Sequence, residues 1–417
     1  MELSKQIIRI FTSGSVDDGK STLIGRLLYD TNSLFQDQIN HVEELSKKRG
    51  FYGLDFSLLT DGLVDERSQG ITIDVAYRYF STPTAKYIIA DNPGHVQYTR
   101  NMVSGSSDAD VAIVLIDVNK GFNEQVIRHT FIACLFKTPL VVFCVNKMDS
   151  VNYNEEGYSK IEQSFLNIKG TLPDGSFHFI PISALKGDNV VSKSENIGWY
   201  DGPSLLELIE AGLSVKSSSA SSTKRFSVQG VLREEAKSGI IRGVMGHMFS
   251  GSLAVGETVA ISPGTQFSKV KQIIEVGSEV NHIEQGASAI IVLEDDIDVV
   301  RGSLIVGSDD LPMQTDTVTA YLCCFEDIPV KIKKRYLLRV HTAEYPCVIT
   351  QVNYQYAKEF SEKNKFVDSL VMNDIANIEL KFSKKISLDL FSQNKLTGRF
   401  ILIDPISSST VGCGIIV

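Results

Sequence analysis

One stretch near the start of the chain, residues 14 to 21, constrains the fold more than any other. It reads G-S-V-D-D-G-K-S and fits the pattern G-x-x-x-x-G-K-S/T. The apolar run Ile7–Phe11 before it suits a buried strand, and residues 22 to 28 after it favour a helix. A glycine-rich turn in this setting directs backbone N–H groups and the helix N-terminus at one polyphosphate. The sequence therefore predicts an α/β domain that binds a nucleoside triphosphate.

Different residues of this loop suit different parts of the nucleotide. Lys20 is expected on the β- and γ-phosphates, and the Ser21 hydroxyl is expected to ligate the Mg²⁺ that bridges them. The glycines let the backbone curl around the phosphates. The predicted phosphate-binding residues are Gly14, Ser15, Val16, Asp17, Asp18, Gly19, Lys20, Ser21 and Thr22.

Length and charge narrow the class of protein. A chain of 417 residues exceeds one ordinary core, so two or three domains are expected. The net charge of −9 argues against broad, charge-driven binding of nucleic acid. Residues 1 to 6 lead into the first strand without an apolar stretch long enough for a signal peptide or membrane span. We therefore expect a cytoplasmic protein that binds neither a membrane nor nucleic acid.

The six cysteines have no C-x-x-C spacing that would indicate a metal or redox site. Cys134 and Cys144 fall inside apolar segments, which predicts buried free thiols at both positions.

A long polar insertion, residues 30 to 66, follows the first predicted helix and leads into Q-G-I-T-I at residues 69 to 73. Insertions of this length in α/β domains are usually functional. Thr72 is the predicted switch residue whose hydroxyl meets Mg²⁺ only when the γ-phosphate is bound. With Lys20 and His95, it is one of three predicted catalytic residues.

The next apolar strand, residues 86 to 90, ends in D-N-P-G-H. A carboxylate at the carboxyl end of a strand beside the phosphate loop suits Mg²⁺, which predicts a metal site of Asp91, Ser21 and Thr72. The Gly94 N–H would meet the γ-phosphate, and His95 would orient the attacking water. This segment adds Asp91, Asn92, Pro93, Gly94 and His95 to the predicted nucleotide site.

Base recognition is predicted after the apolar strand at residues 140 to 145. The Asp149 carboxylate can accept hydrogen bonds from N1–H and the 2-amino group of guanine, which adenine cannot offer. The predicted base-binding residues are Asn146, Lys147, Met148 and Asp149, together with Ser183, Ala184 and Leu185 after the strand at residues 177 to 182. The predicted nucleotide is therefore GTP, bound with Mg²⁺.

Several longer stretches carry a family resemblance. They are residues 14–30, 69–78, 93–102, 183–192 and 199–203, the last reading W-Y-D-G-P. Together they resemble the translation-factor class of GTPases, which includes elongation factor Tu. More narrowly, they are similar to the large GTPase subunits of bacterial sulfate adenylyltransferase. Asp17-Asp18 stands where elongation factors usually carry Asp-His.

The resemblance implies an activity and a partner. Large subunits of that family hydrolyse GTP to drive a small adenylyltransferase subunit, which makes adenosine 5′-phosphosulfate and pyrophosphate from ATP and sulfate. A hetero-oligomer in which the partner carries the adenylylation residues is therefore expected. The chain departs from the family at Asn92, where Thr or Cys is usual, and at Val96, where Glu is usual.

The later sequence predicts two β-barrel domains. A serine-rich tract at residues 214 to 224 has the composition of a linker, and short alternating segments punctuated by glycine follow it. The predicted domains are 1–216 for GTP binding, 225–312 for the first barrel and 315–417 for the second. Residues 339 to 342 and Arg399 could contact a partner, but solvated surface is the favoured expectation for each.

Two other functions compete with the sulfate-activating GTPase. One is an elongation factor that carries aminoacyl-tRNA, against which Asp18, the acidic balance and the Trp199 motif argue. The other is a regulatory switch with no enzymatic partner.

Overall fold

The structure of the chain is a computed structural model. It describes residues 6–48, 50, 53–59, 75–92, 99–214, 223–236, 239–264, 266–326, 328–357, 360, 363–365 and 367–417. The chain divides into two compact units, Met1–Ser217 with Ala357–Glu362, and Ser218–Tyr356 with Lys363–Val417. The division into three domains at the bounds given above remains a proposal.

The first unit is an α/β domain, as predicted, built on a sheet with the strand order β2-β3-β1-β4-β5-β6. Its strands are β1 (Gln6–Ser13), β2 (Ala76–Ser81), β3 (Ala85–Asp91), β4 (Val111–Asp117), β5 (Leu140–Asn146) and β6 (Phe177–Pro181). Its helices are α1 (Lys20–Asp30), α2 (Gln36–Lys48), α3 (Thr99–Ser106), α4 (Glu124–Leu135), α5 (Glu155–Lys169) and α6 (Leu205–Ser214). Short 3₁₀ turns lie at Phe56–Leu59, Met148–Val151 and Glu195–Ile197.

The sheet topology sets the position of the site. Strand β1 pairs in parallel with both β3 and β4, so the strand order reverses at β1, while β2 is an antiparallel edge strand. In open α/β sheets a ligand binds at the carboxyl ends of the strands at such a reversal. Every residue of β4 and β5 is buried, as their unbroken apolar runs predict for central parallel strands.

The second unit contains two closed barrels. Within the described residues, the ring of the first barrel runs β10-β15-β7-β8-β14-β11 and closes through β10 and β11. The ring of the second runs β18-β23-β24-β16-β22-β19 and closes through β18 and β19. Alternating side chains fill each interior, so each barrel has its own apolar core. These rings confirm the predicted pair of β-barrels.

The first barrel contains β7 (Arg225–Ala236), β8 (Gly239–Ser250), β9 (Ser252–Ala254), β10 (Thr258–Ser262), β11 (Gln266–Glu275), β12 (Ser278–Val280), β13 (His282–Glu284), β14 (Ser288–Leu293) and β15 (Leu304–Gly307). The second contains β16 (Met313–Cys324), β17 (Val330–Lys331), β18 (Arg335–Val340), β19 (Ala343–Tyr356), β20 (Lys363–Asn364), β21 (Ser369–Leu370), β22 (Ile375–Leu388), β23 (Arg399–Ile403) and β24 (Thr410–Ile416).

The turn between β18 and β19 corrects one prediction. The Thr342 hydroxyl donates to the carbonyl of Val228 over 2.7 Å, so residues 341 and 342 pack on the first barrel instead of lying in solvent, whereas Arg339 is exposed as predicted. Nearby, the buried Arg225 guanidinium pairs with Asp389 at 2.7 Å and with Asp310 at 2.8 Å. A buried guanidinium needs such partners to offset the loss of its hydration.

Two smaller observations complete the fold. Cys134 and Cys144 are buried free thiols, as predicted. Among the helices that the structure describes, none has the length and apolar character required to cross a bilayer.

Candidate functional site

The loop between β1 and α1 has the backbone that a phosphate cradle requires. Gly14 and Gly19 have φ values of 148° and 95°, which disfavour any residue with a Cβ. A Cβ at Gly19 would also lie 2.4 Å from the Asn146 side-chain nitrogen. The loop therefore needs glycine at position 19 both for its backbone angles and for the close approach of Asn146.

Lys20 lies at the start of α1 with its side chain buried inside this loop. Its ammonium group donates to the carbonyl of Gly14 at 3.0 Å and to that of Ser15 at 2.9 Å. Burial lowers the pKa of Lys20, and the negative charges of Asp91 and Asp18 oppose that shift. The structure thus holds a cation where the loop and the end of β3 meet.

The two adjacent aspartates of the loop have different environments. Asp17 is exposed and has a left-handed backbone, with φ of 68°. Asp18 is buried, and its carboxylate accepts a hydrogen bond of 2.7 Å from the backbone N–H of Ser15. Burial raises the pKa of Asp18, although the Ser15 bond and Lys120 oppose the rise. Asp18 is therefore part of the internal support of the loop.

The loop has further supports that the sequence analysis did not identify. The Lys120 ammonium lies 3.5 Å from the Asp18 carboxylate and donates to the carbonyl of Val16 at 3.2 Å. The Ser15 hydroxyl donates to Asn123 at 3.0 Å, and the same Asn123 oxygen accepts from Val126 N–H at the start of α4. Both residues lie between β4 and α4, and Asn123 is the N-cap of α4, which is the position where Asn is favoured in a sequence.

Asp91 and Asn92 follow at the end of β3, and both are buried. The Asn92 amide donates to the carbonyl of Ala90 at 2.9 Å and, less closely, to that of Thr12 at 3.4 Å. A Cβ at Gly105 would lie 2.5 Å from the Asn92 side-chain oxygen, so α3 packs tightly on this amide. Asn92 thus contributes its side chain to the end of the sheet, in addition to its backbone.

The donor set at this edge fits Mg²⁺. Ser21 offers a hydroxyl and Asp91 a carboxylate, both hard oxygen ligands, and the effect of Asp91 on Lys20 shows that this carboxylate is close to the phosphate loop. Within the described part of the chain, no group of three or more His, Cys, Asp and Glu residues could hold a metal by itself. That suits Mg²⁺, which usually binds one or two protein carboxylates together with substrate phosphates and water.

Asn146, at the end of β5, joins two loops of the candidate site. Its amide nitrogen donates to the carbonyl of Asp18 at 2.8 Å, and its oxygen accepts from the Ala184 N–H at 2.9 Å. Both bonds are buried. A single side chain therefore sets the spacing between the phosphate loop and the loop at residues 183 to 185.

The neighbouring residues that are predicted to recognise the base are held in a similar way. Lys147 has φ of 65° and pairs with Asp117 at 2.9 Å. Met148 is fully buried, while the Asp149 carboxylate accepts from the Ser183 hydroxyl at 2.7 Å. One carboxylate oxygen is thus fixed by the protein, which orients the group for a planar pair of donors such as the guanine edge.

Arg26 is another residue that the sequence analysis missed. Its guanidinium donates to the carbonyls of Ala184 and Leu185 and stacks over the Phe56 ring, 4.0 Å from the ring centroid. It also pairs with Asp30 at 3.3 Å. Arg26 therefore connects α1, the loop at residues 183 to 185 and the insertion after α2.

The structure brings together the predicted residues at 14–22, 91–92, 146–149 and 183–185 along one edge of the sheet. The predicted Thr72, Pro93, Gly94 and His95 lie outside the described residues, as does Val96.

Two family descriptions match the chain. Residues 5–216 match "Elongation factor Tu GTP binding domain", which is just over half of the chain, and residues 317–417 match "GTP-eEF1A C-terminal domain-like".

Curated relatives match over nearly the whole length. "Sulfate adenylyltransferase subunit 1" of Francisella tularensis subsp. tularensis (strain WY96-3418) is 42% identical over 99% of this chain and 87% of its own length. The protein of the same name from Photorhabdus laumondii is 41% identical over 99% of this chain and 85% of its own. "Bifunctional enzyme NodQ" of Rhizobium sp. (strain N33) is 40% identical over 99% of this chain and 63% of its own.

The similarity of the chain to solved structures supports the assignment of its fold and nothing about its function. The GTPase-like domain of S. cerevisiae Ski7 bound to GTP has a TM-score of 0.55 and 15% identity, over 99% of this chain and 97% of that one.

Proposed function

Because this chain belongs to the sulfate adenylyltransferase subunit 1 family of elongation-factor-Tu-type GTPases, we propose that it hydrolyses GTP as one subunit of a sulfate-activating enzyme. GTP hydrolysis would drive formation of adenosine 5′-phosphosulfate and pyrophosphate from ATP and sulfate. Formation of a sulfate–phosphate anhydride is strongly uphill in free energy. The proposed role of the chain is therefore to couple this reaction to the hydrolysis of a second nucleotide, GTP. Membership of this family also favours this activity over the transport of aminoacyl-tRNA as the function of the chain.

The observation that carries the GTP proposal is the pair of hydrogen bonds made by Asn146. A guanine nucleotide needs a phosphate cradle and a base-reading loop at a set spacing. Asn146 fixes that spacing between Asp18 and Ala184, and Ser183 orients the Asp149 carboxylate beside them. Guanine can donate two hydrogen bonds to this carboxylate, and adenine cannot.

We assign the phosphates to residues 14–22, with the Lys20 ammonium on the β- and γ-oxygens. Asp149 would read the base, Asn146 and Lys147 would brace its loop, and Ser183 to Leu185 would face guanine O6. Ser21, Asp91 and Thr72 would hold Mg²⁺, which would offset the negative charge of the phosphates. Gly94 would bind the γ-phosphate through its N–H, and His95 would position the attacking water.

A partner subunit is part of the proposal. The relatives are named as subunit 1, and we infer that this chain also works with a second subunit. We propose that the partner is a small adenylyltransferase subunit that carries the sulfate and ATP chemistry. We also propose a cytoplasmic location, which the buried free thiols of Cys134 and Cys144 support because thiols remain reduced there.

The test is to combine the chain with a small sulfate adenylyltransferase subunit and to measure sulfate-dependent pyrophosphate release with and without GTP. We expect release that increases with GTP and GTP hydrolysis that increases with sulfate and ATP. The Lys20→Ala variant is the matched control. It should still bind the partner subunit, but pyrophosphate release should no longer depend on GTP. Pyrophosphate release that is independent of GTP would contradict the proposal, and so would GTP-dependent capture of aminoacyl-tRNA by the chain.

A further inference from the structure

Trp199, the only tryptophan of the chain, lies between the predicted base loop at residues 183 to 185 and helix α6. Its indole N–H donates to the backbone carbonyl of Tyr153 over 2.8 Å. Its ring packs on Tyr158, with 5.2 Å between centroids. The indole is therefore attached to the segment that directly follows the turn Met148–Val151, which contains Asp149.

The backbone of that segment is unusual. Asn152 and Tyr153 are successive non-glycine residues in the left-handed region, with φ of 51° and 56°. Residues other than glycine are strained in this region, so this conformation persists only where neighbouring contacts enforce it. The Tyr153 N–H donates to the Met148 carbonyl at 2.8 Å, and the Trp199 bond holds the carbonyl of the same residue.

The Tyr153 side chain reaches the other base-recognition loop. Its hydroxyl donates to the Asp188 carboxylate at 2.8 Å, and the Asp188 backbone carbonyl accepts from the Ser183 N–H at 3.2 Å. Ser183 in turn donates to Asp149 at 2.7 Å. Burial, together with the adjacent Asp188, raises the pKa of Tyr153, so this hydroxyl keeps its proton and remains a donor near neutral pH.

Asp188 is anchored from its other side. The buried carboxylate also accepts from the Asn196 amide at 3.0 Å and from the Ser194 hydroxyl. Both donors lie in the segment that leads to Trp199. The contacts thus form a closed circuit from Asp149 through Ser183, Asp188 and Tyr153 back to the turn that carries Asp149.

We propose that Tyr153 and Trp199 are positioning residues for guanine recognition, which together hold the Asp149 turn and the Ser183 loop in the geometry that binds the base. The inference rests on the proposed GTP-binding function and names how that site obtains its specificity. Neither residue has to contact the nucleotide. The circuit orders Asp149 before the base arrives, so binding spends less free energy on ordering the loops.

The test compares Trp199→Phe and Tyr153→Phe with a matched control, Tyr158→Phe. Phenylalanine at 199 keeps a ring and removes the N–H donor, while phenylalanine at 153 removes one oxygen atom. The Tyr158 hydroxyl donates to the Phe179 carbonyl on β6 at 3.3 Å, so its removal deletes a hydroxyl of the same cluster without breaking the circuit. The measurements are the dissociation rate of fluorescently labelled GDP and the ratio of affinities for GDP and IDP, which lacks the 2-amino group.

We expect GDP to dissociate about 3- to 10-fold faster from each test variant, because each loses one hydrogen bond that orders the loops. The preference for GDP over IDP should fall in parallel, whereas Tyr158→Phe should match the wild type in both measurements. Dissociation rates and base preference equal to those of Tyr158→Phe would overturn the inference. A wild-type chain with no preference for GDP over ADP would instead overturn the proposed function itself.

Discussion

The Lys120 ammonium lies 3.5 Å from the Asp18 carboxylate, across the gap between the end of β4 and the phosphate loop. Asp18 is buried, whereas Lys120 is about half exposed, with 45% of its side-chain surface accessible. The same ammonium donates to the Val16 carbonyl. A carboxylate beside a polyphosphate would repel it, and this contact both offsets that charge and supports the loop.

Lys120→Met should therefore weaken GTP binding. We expect a loss of about 5-fold at low salt, because a partly exposed ion pair and one hydrogen bond together contribute about 1 kcal/mol. The double variant Asp18→Asn/Lys120→Met should recover most of the affinity, since it removes the uncompensated charge as well. Calorimetric titration with GTP of the wild type, Asp18→Asn, Lys120→Met and the double variant measures the coupling between the two residues. Strictly additive effects on the affinity would disprove this coupling.

Lys20→Ala should remove most of the affinity for GTP. The change deletes a buried cation placed for the phosphates, and charge-assisted hydrogen bonds to two phosphate groups give an expected loss of about 100-fold or more. Lys86→Ala, at an exposed position of β3, is the control for loss of one positive charge. If Lys20→Ala binds GTP as Lys86→Ala does, the assignment of this loop to phosphates is wrong.

Asp149→Asn should weaken GTP binding and shift the preference towards xanthosine triphosphate. The amide can donate to the carbonyl at C2 of xanthine, whereas the carboxylate accepts from the 2-amino group of guanine. Ser183→Ala is the milder comparison, because it frees the carboxylate of Asp149 without changing its charge. Competition assays with GTP, XTP and ATP measure the shift, and guanine selectivity that survives in Asp149→Asn would count against this carboxylate.

Stability should fall as the pH drops from about 6.5 to about 4. Burial lowers the pKa of His341 from its usual 6.5 to about 4, so the unfolded chain takes up a proton before the folded chain does. The stabilisation is complete above pH 6.5 and is lost progressively towards pH 4, by about 3 kcal/mol for this one histidine.

Urea unfolding at pH 7 and pH 4.5 checks the dependence. His341→Asn should flatten it relative to the wild type, whereas His282→Asn, at an exposed position of β13, should not. An equally steep loss in His341→Asn would exclude His341 as its source.

The strands at the centre of the first unit could be predicted from the sequence. The strand predicted at residues 140 to 145 is Leu140–Asn146 in the structure, and the one predicted at residues 86 to 90 lengthens only to Ala85–Asp91. A parallel strand buried on both faces must be apolar at every position, and that requirement leaves a continuous signal in the sequence.

The turn at residues 339 to 342 could not be predicted in the same way. Its polar composition indicated solvent, yet Thr342 bonds to Val228. A hydroxyl carries no sequence signal for the carbonyl that it will meet, because that partner lies 114 residues away.

The sequence by itself determined the proposed type of ligand, since the predicted phosphate loop, switch segments and guanine-reading residues are short patterns whose chemistry depends on adjacent positions. Only the tertiary structure decided how those patterns are held together. Asp18 turns inward to Lys120, Arg26 holds the loop after β6, and Trp199 supports the backbone after Asp149. These roles depend on contacts between residues far apart in the chain, and such distances are set by packing rather than by local sequence.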